Sequence, residues 1–109
     1  MDASESDTAE QSHDAHRQAM RSHLSAAKQH REAAAAHRQA AVVQETAAAD
    51  GQGDTAAHTR AATSERAASQ RNYEAADRES DKAAVESQRL ARVLDDSTLQ
   101  SESAGAEPH

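Results

Sequence analysis

Histidine occupies every seventh position from His16 through His23 and His30 to His37, and Gln44 takes the next place in the series. Seven residues make two helical turns, so these side chains share a face only if the segment is helical. Alanine completes the pattern. Ala26/Ala27, Ala33/Ala34, Ala40/Ala41 and Ala47/Ala48 follow three and four residues behind their histidine or glutamine, as Ala19/Met20 does behind His16. With Met20, Ala27, Ala34, Ala41 and Ala48 at heptad position a, the histidines fall at d and the other alanines at g, the seam of a coiled coil made of small residues.

The composition leaves few other folds open. Alanine supplies 28 of the 109 residues, whereas Leu, Ile, Val and Phe together supply 8, too few for a conventional compact core. Low bulky-apolar content with a net charge of −7 is also a signature of disorder. Here alanine decides for helix, because it is the best helix former and Arg, Gln, Glu and Lys fill much of the remaining surface. The breakers are confined: Gly51 and Gly53 lie mid-chain, Gly105 and Pro108 near the end.

These signals predict an all-α fold, an antiparallel two-helix hairpin of the Ala-rich coiled-coil type. Asp7-Thr8-Ala9-Glu10 reads as a capping box, Gly51 suits the left-handed position after a helix, and Asp54 or Thr55 can cap the second helix. The expected organisation is a disordered N-terminus over 1–7, helix 1 over 8–49, a turn at 50–53, helix 2 over 54–94 and a disordered tail over 95–109. Asp95 and Asp96 motivate the second boundary, since acids sit badly at the negative end of a helix dipole.

A loop centred near residues 51 and 52 pairs positions whose numbers total 102 or 103. A total of 102 sets Ala41 against Ala61, Ala34 against Ala68 and Ala27 against Ala75, with a neighbouring set of Ala40/Ala62, Ala33/Ser69, Ala26/Ala76 and Ala19/Ala83. The histidine layers then become His37/Glu65, His30/Asn72, His23/Glu79 and His16/Glu86, and Gln44 faces His58. The Ala pairs 67/68, 75/76 and 83/84 are spaced by eight, so the pairing is expected to drift towards the end of helix 2.

Several function classes are excluded on chemical grounds. Tyr73 is the one aromatic residue, so nothing can wall an apolar pocket for a small-molecule substrate or a haem, and no serine has a base held by a third group. A non-enzymatic role is expected. Net negative charge repels phosphate backbones and anionic lipid heads, and the longest apolar runs are far short of the ~20 residues of a membrane helix. Neither nucleic acid nor a membrane is an expected partner. The acidic beginning MDASESDTAE has no Sec-type signal character, which gives a cytoplasmic location as the default expectation. Without cysteine, a metal site would have to use His and carboxylates.

Two accounts of the layers follow. In the first, which the sequence favours, the histidines and glutamates bind a divalent transition metal such as zinc, copper or nickel. A seam of alanine gives one hairpin little hydrophobic stability, so a second hairpin is expected to complete a four-helix bundle as a homodimer or higher homo-oligomer. Its layers would bring two His and two Glu towards one axis. The candidate ligands are His16, His23, His30, His37, Glu65, Glu79 and Glu86. His13 joins them through the E-x-x-H spacing from Glu10, and His58 as a further possible ligand. In the second account the layers are structural and set register, as a buried Asn does in coiled coils. Tyr73 falls beside the His30 layer, as a large seam or flank residue with its hydroxyl reaching water or His30.

Two resemblances accompany these readings. The run from Ala26 to Ala41, AAKQHREAAAAHRQAA, followed by a Gly-containing turn and a second Ala-rich arm, resembles small uncharacterised bacterial proteins with repeating H-x-x-A-A units over roughly residues 16–90. It implies the helical hairpin and no established activity. Tyr73-Glu74-Ala75-Ala76-Asp77 resembles the Y-x-x-x-D signal of the WXG100 type, acidic helical hairpins exported by specialised secretion systems. The Trp-x-Gly turn of that type is absent here, where the turn reads Asp50-Gly51-Gln52-Gly53, and Tyr73 lies mid-helix.

Overall fold

A computed structural model describes the backbone of residues 3–105 and the side chains of residues 8–96. Two long helices, α1 (Ala3–Ala49) and α2 (Thr55–Gly105), account for nearly all of it, and there is no strand among the described residues. The all-helical hairpin expected from the heptads is the architecture found.

The turn shows how local sequence ends one helix and starts the next. Gly51 N–H donates to the Ala48 carbonyl at 3.2 Å and Gln52 N–H to the Ala47 carbonyl at 3.0 Å, the paired bonds of a Schellman motif. That motif needs a left-handed residue after the helix, and Gly51 supplies it with φ 67°. Gly53 makes the second left-handed step at φ 64°. Asp54 then caps α2, its Oδ1 accepting from Ala57 N–H at 3.0 Å.

The outer ends differ from expectation. Helix α1 begins at Ala3, so Asp7-Thr8-Ala9-Glu10 lies inside it and does not open it, and residues 3–7 are helical where disorder is expected. Helix α2 passes Leu94 and continues to Gly105, through most of the expected tail. Neither stretch contains a Gly or Pro before Gly105, and a dipole penalty acts only in the last turn, which lies well beyond Asp95 and Asp96. Residues 1–2 and 106–109, the remainder of the two expected disordered ends, lie outside the described residues.

The chain divides into two compact units, Ser25–Glu79 and the pair of segments Met1–Leu24 and Ser80–His109. In Ser25–Glu79 the helices run antiparallel and bury Ala27, Ala34 and Ala41 of α1 against Ala62, Ser69 and Ala76 of α2. Ser69, the one buried polar residue among those described, donates from Oγ to the Ala34 carbonyl at 2.9 Å, bonding across the seam. In the other unit Ala83 is the buried residue. No side chain larger than alanine is fully buried among the described residues.

The buried positions of α2, Ala62, Ser69, Ala76 and Ala83, keep a strict period of seven. The expected drift is therefore absent. Ala67 and Ala84, which suggested it, are exposed. Burial selects the strict heptad because a single a position per two turns already fills the close gap between small-residue helices, and the extra alanine of each pair lies outside it.

Candidate functional site

The heptad places the polar layers, and the cross-helix contacts show how each is used. In Ser25–Glu79, His37 donates from Nδ1 to Glu65 Oε2 at 2.6 Å, His30 from Nδ1 to Asn72 Oδ1 at 3.1 Å, and His58 from Nδ1 to Gln44 Oε1 at 2.7 Å. In the other unit, His16 donates from Nδ1 to Glu86 Oε2 at 2.7 Å. The residue numbers of every pair total 102, the register expected from the turn.

Each pairing is chemically determined. A carboxylate or amide oxygen only accepts, so each ring must carry its proton on Nδ1. In the Asn72 layer the amide orientation is fixed from the other side, because Nδ2 donates to the Ala68 carbonyl at 3.0 Å and leaves Oδ1 for His30. Glu86 also accepts from Arg89 through its other oxygen, Oε1, at 2.8 Å. The hydrogen bond from His16 holds the Glu86 carboxyl below the usual carboxylate range, desolvation opposes this, and the Arg89 charge adds to the lowering. Among the described residues no buried side-chain nitrogen or oxygen lacks a hydrogen-bond partner.

The remaining candidates are placed differently. His23 and Glu79 are half-buried on their helices. His23 lines an open groove of about 350 Å³ with Asp81, Lys82, Val85, Glu86 and Arg89. His13 Nδ1 lies 3.7 Å from Asp14 Oδ1, and among the described residues no ion pair joins it to Glu10. Among the described residues no group of three or more His, Asp or Glu gathers as a metal would require. His58 Nε2 sits 3.6 Å from where a Cβ on Gly53 would stand, beside the turn.

Two features of Ser25–Glu79 escape the heptad reading. Arg66 of α2 bonds Glu45 of α1 through both Nε and a terminal nitrogen, flanking the seam next to the His37 layer. Their positions e on both helices are a general place for interhelical ion pairs, which was the available signal. Tyr73 is 39% exposed and lies on the flank, one of the two places expected for it, and its hydroxyl makes no hydrogen bond to His30 among the described residues. It lines a flank groove with Ala35, Arg38, Gln39 and Val42. The groove depends on how far Tyr73 reaches across to α1, which residue spacing does not encode.

Comparison with known proteins matches the chain to no family model, no curated protein and no solved structure. No helix is long and apolar enough to cross a membrane among the described residues.

Proposed function

We propose that this chain is a non-enzymatic structural module, a helical hairpin that self-associates and whose polar layers set the register of its helices. One observation carries the reading: His16, His30, His37 and His58 each spend Nδ1 on a single acceptor of the other helix, always at the same total of residue numbers. A slip along the seam by one turn would set most of these donors against alanines, leaving half-buried polar groups unsatisfied. The alanine-dominated core supports self-association, since each buried CH₃ contributes only about 0.8 kcal/mol, while Leu24, Val42, Val43, Val85 and Leu94 stay exposed. Sedimentation equilibrium of the untagged chain in the presence of a chelator tests the reading. A dimer or larger species at micromolar concentration supports it, and a fully helical monomer that resists dilution refutes it.

A second reading, transition-metal binding, is favoured by one feature of the same layers. Glu65 and Glu86 anchor Nδ1 of His37 and His16, which leaves Nε2 as the lone-pair nitrogen, and carboxylate-anchored imidazoles are how metal-ligating histidines are commonly oriented. Ligands for zinc, copper or nickel would have to come from two copies, each giving an Nε2. Titration calorimetry of the untagged chain at pH 7.5 decides it. No binding tighter than about millimolar for Zn²⁺, Ni²⁺ or Cu²⁺, of which Cu²⁺ stands highest in affinity order, removes the metal reading.

A further inference from the structure

The larger apolar side chains of Ser25–Glu79 lie outside its seam. Val42 and Tyr73, 49% and 39% exposed, share the flank groove of about 330 Å³ with Ala35, Arg38 and Gln39. Arg38 is the groove's one ionisable group of either sign apart from the Tyr73 phenol, and no carboxylate lines it. Neither Arg38 nor the Tyr73 hydroxyl has a hydrogen bond or ion pair among the described residues. The groove thus offers an apolar floor, an unmatched cation and an unmatched donor. A segment that fills it needs an apolar side chain with carboxylates next to it.

The chain carries such a segment. In α2, Leu94 is 50% exposed and is followed by Asp95 and Asp96, both exposed and neither in an ion pair among the described residues. Two adjacent acids on a continuing helix have no dipole role there, because the helix runs on to Gly105. Leu94 is also three heptads from Tyr73, hence at the same heptad position of α2. Apolar content and charge therefore both complement the groove: Leu94 for Val42, Ala35 and the Tyr73 ring, and Asp95, the next residue round the helix, for Arg38.

Resting on self-association as read above, we propose that the Arg38 groove of one copy takes the Leu94–Asp96 segment of a second copy. Since every copy has both halves, two copies can exchange them in an isologous pair. Charge matching of this kind chooses the partner and the orientation, while the apolar contact excludes water from the ion pair.

Charge-swap complementation in sedimentation velocity on the full chain tests it, with circular dichroism confirming that each variant stays helical. Arg38→Glu alone, and Asp95→Lys with Asp96→Lys alone, should each weaken self-association by about tenfold or more. A one-to-one mixture of the two variants puts a matched groove and segment on different chains and should recover a heterodimer, as should the triple variant within one chain. If either single swap assembles as tightly as the unaltered chain, the docking is wrong while self-association stands. If both swaps weaken assembly and neither combination restores it, Leu94–Asp96 is not the occupant, and an acidic-apolar segment elsewhere fills the groove. An unaltered chain that is monomeric removes both this docking and the module reading.

Discussion

Asn72 fixes the tautomer of the neutral His30 ring. Its Nδ2 is committed to the Ala68 carbonyl, so its Oδ1 alone faces the ring, 3.1 Å from Nδ1. A neutral His30 therefore has its proton on Nδ1 and its lone pair on Nε2. Replacing Asn72 with leucine removes the acceptor and should cost about 1 kcal/mol of stability. Nitrogen chemical shifts of the imidazole check the tautomer directly. The unaltered chain should show His30 as the Nδ1–H form, and Asn72→Leu should release it towards the Nε2–H form.

The His16–Glu86 layer gives a pH dependence with a definite sign. Glu86 has a folded pKa below its ordinary value, with the His16 hydrogen bond as the largest cause. The unfolded chain therefore binds a proton first as pH falls, and the stability Glu86 contributes is present above its unfolded value of ~4.3 and lost as pH falls through the folded value. Glu86→Gln should flatten this acid limb. Thermal melts between about pH 6 and about pH 3 read the difference.

The left-handed glycines limit what the turn accepts. A methyl group at Gly51 meets nothing within 4 Å, and one at Gly53 meets only His58 Nε2 at 3.6 Å, so space is available at both. The conformation is the obstacle. Gly51→Ala and Gly53→Ala should each lose about 1–2 kcal/mol through the positive φ alone. Denaturant midpoints at unchanged slope would confirm that the loss lies in the turn and not in the compactness of the fold.

Ala34 is fully buried and its carbonyl accepts from Ser69. Ala34→Leu should push the helices apart, break that bond and destabilise by about 1–3 kcal/mol. The same change at exposed Ala36, two residues away and outside the Arg38 groove, leaves the seam untouched and should be tolerated. Paired chemical denaturation of the two variants makes the comparison.

How far these features can be read from residue order depends on their regularity. The seam of α1 is legible because His16 to His37 and the alanines behind them repeat without interruption, and the turn is legible because Gly51 and Gly53 are the only mid-chain breakers. The end of α2 is not, since Asp95 and Asp96 signal a stop only if the helix ends there, and propensity carries it on. In α2 the alanine pairs misdirect, because Ala67 and Ala84 are surface residues that do not mark the seam. Arg66–Glu45 and the Tyr73 groove arise from side-chain reach across the flank, where many charged and polar residues are interchangeable in pattern.

The concentration dependence of melting measures the proposed self-association of the hairpin. The untagged chain with chelator present should show a melting temperature that rises steadily between about 1 and about 100 µM, because assembly stabilises only the folded state. A melting temperature independent of concentration over that range, with full helicity at the lowest concentration, would show a hairpin stable as a monomer and rule out the proposed self-association.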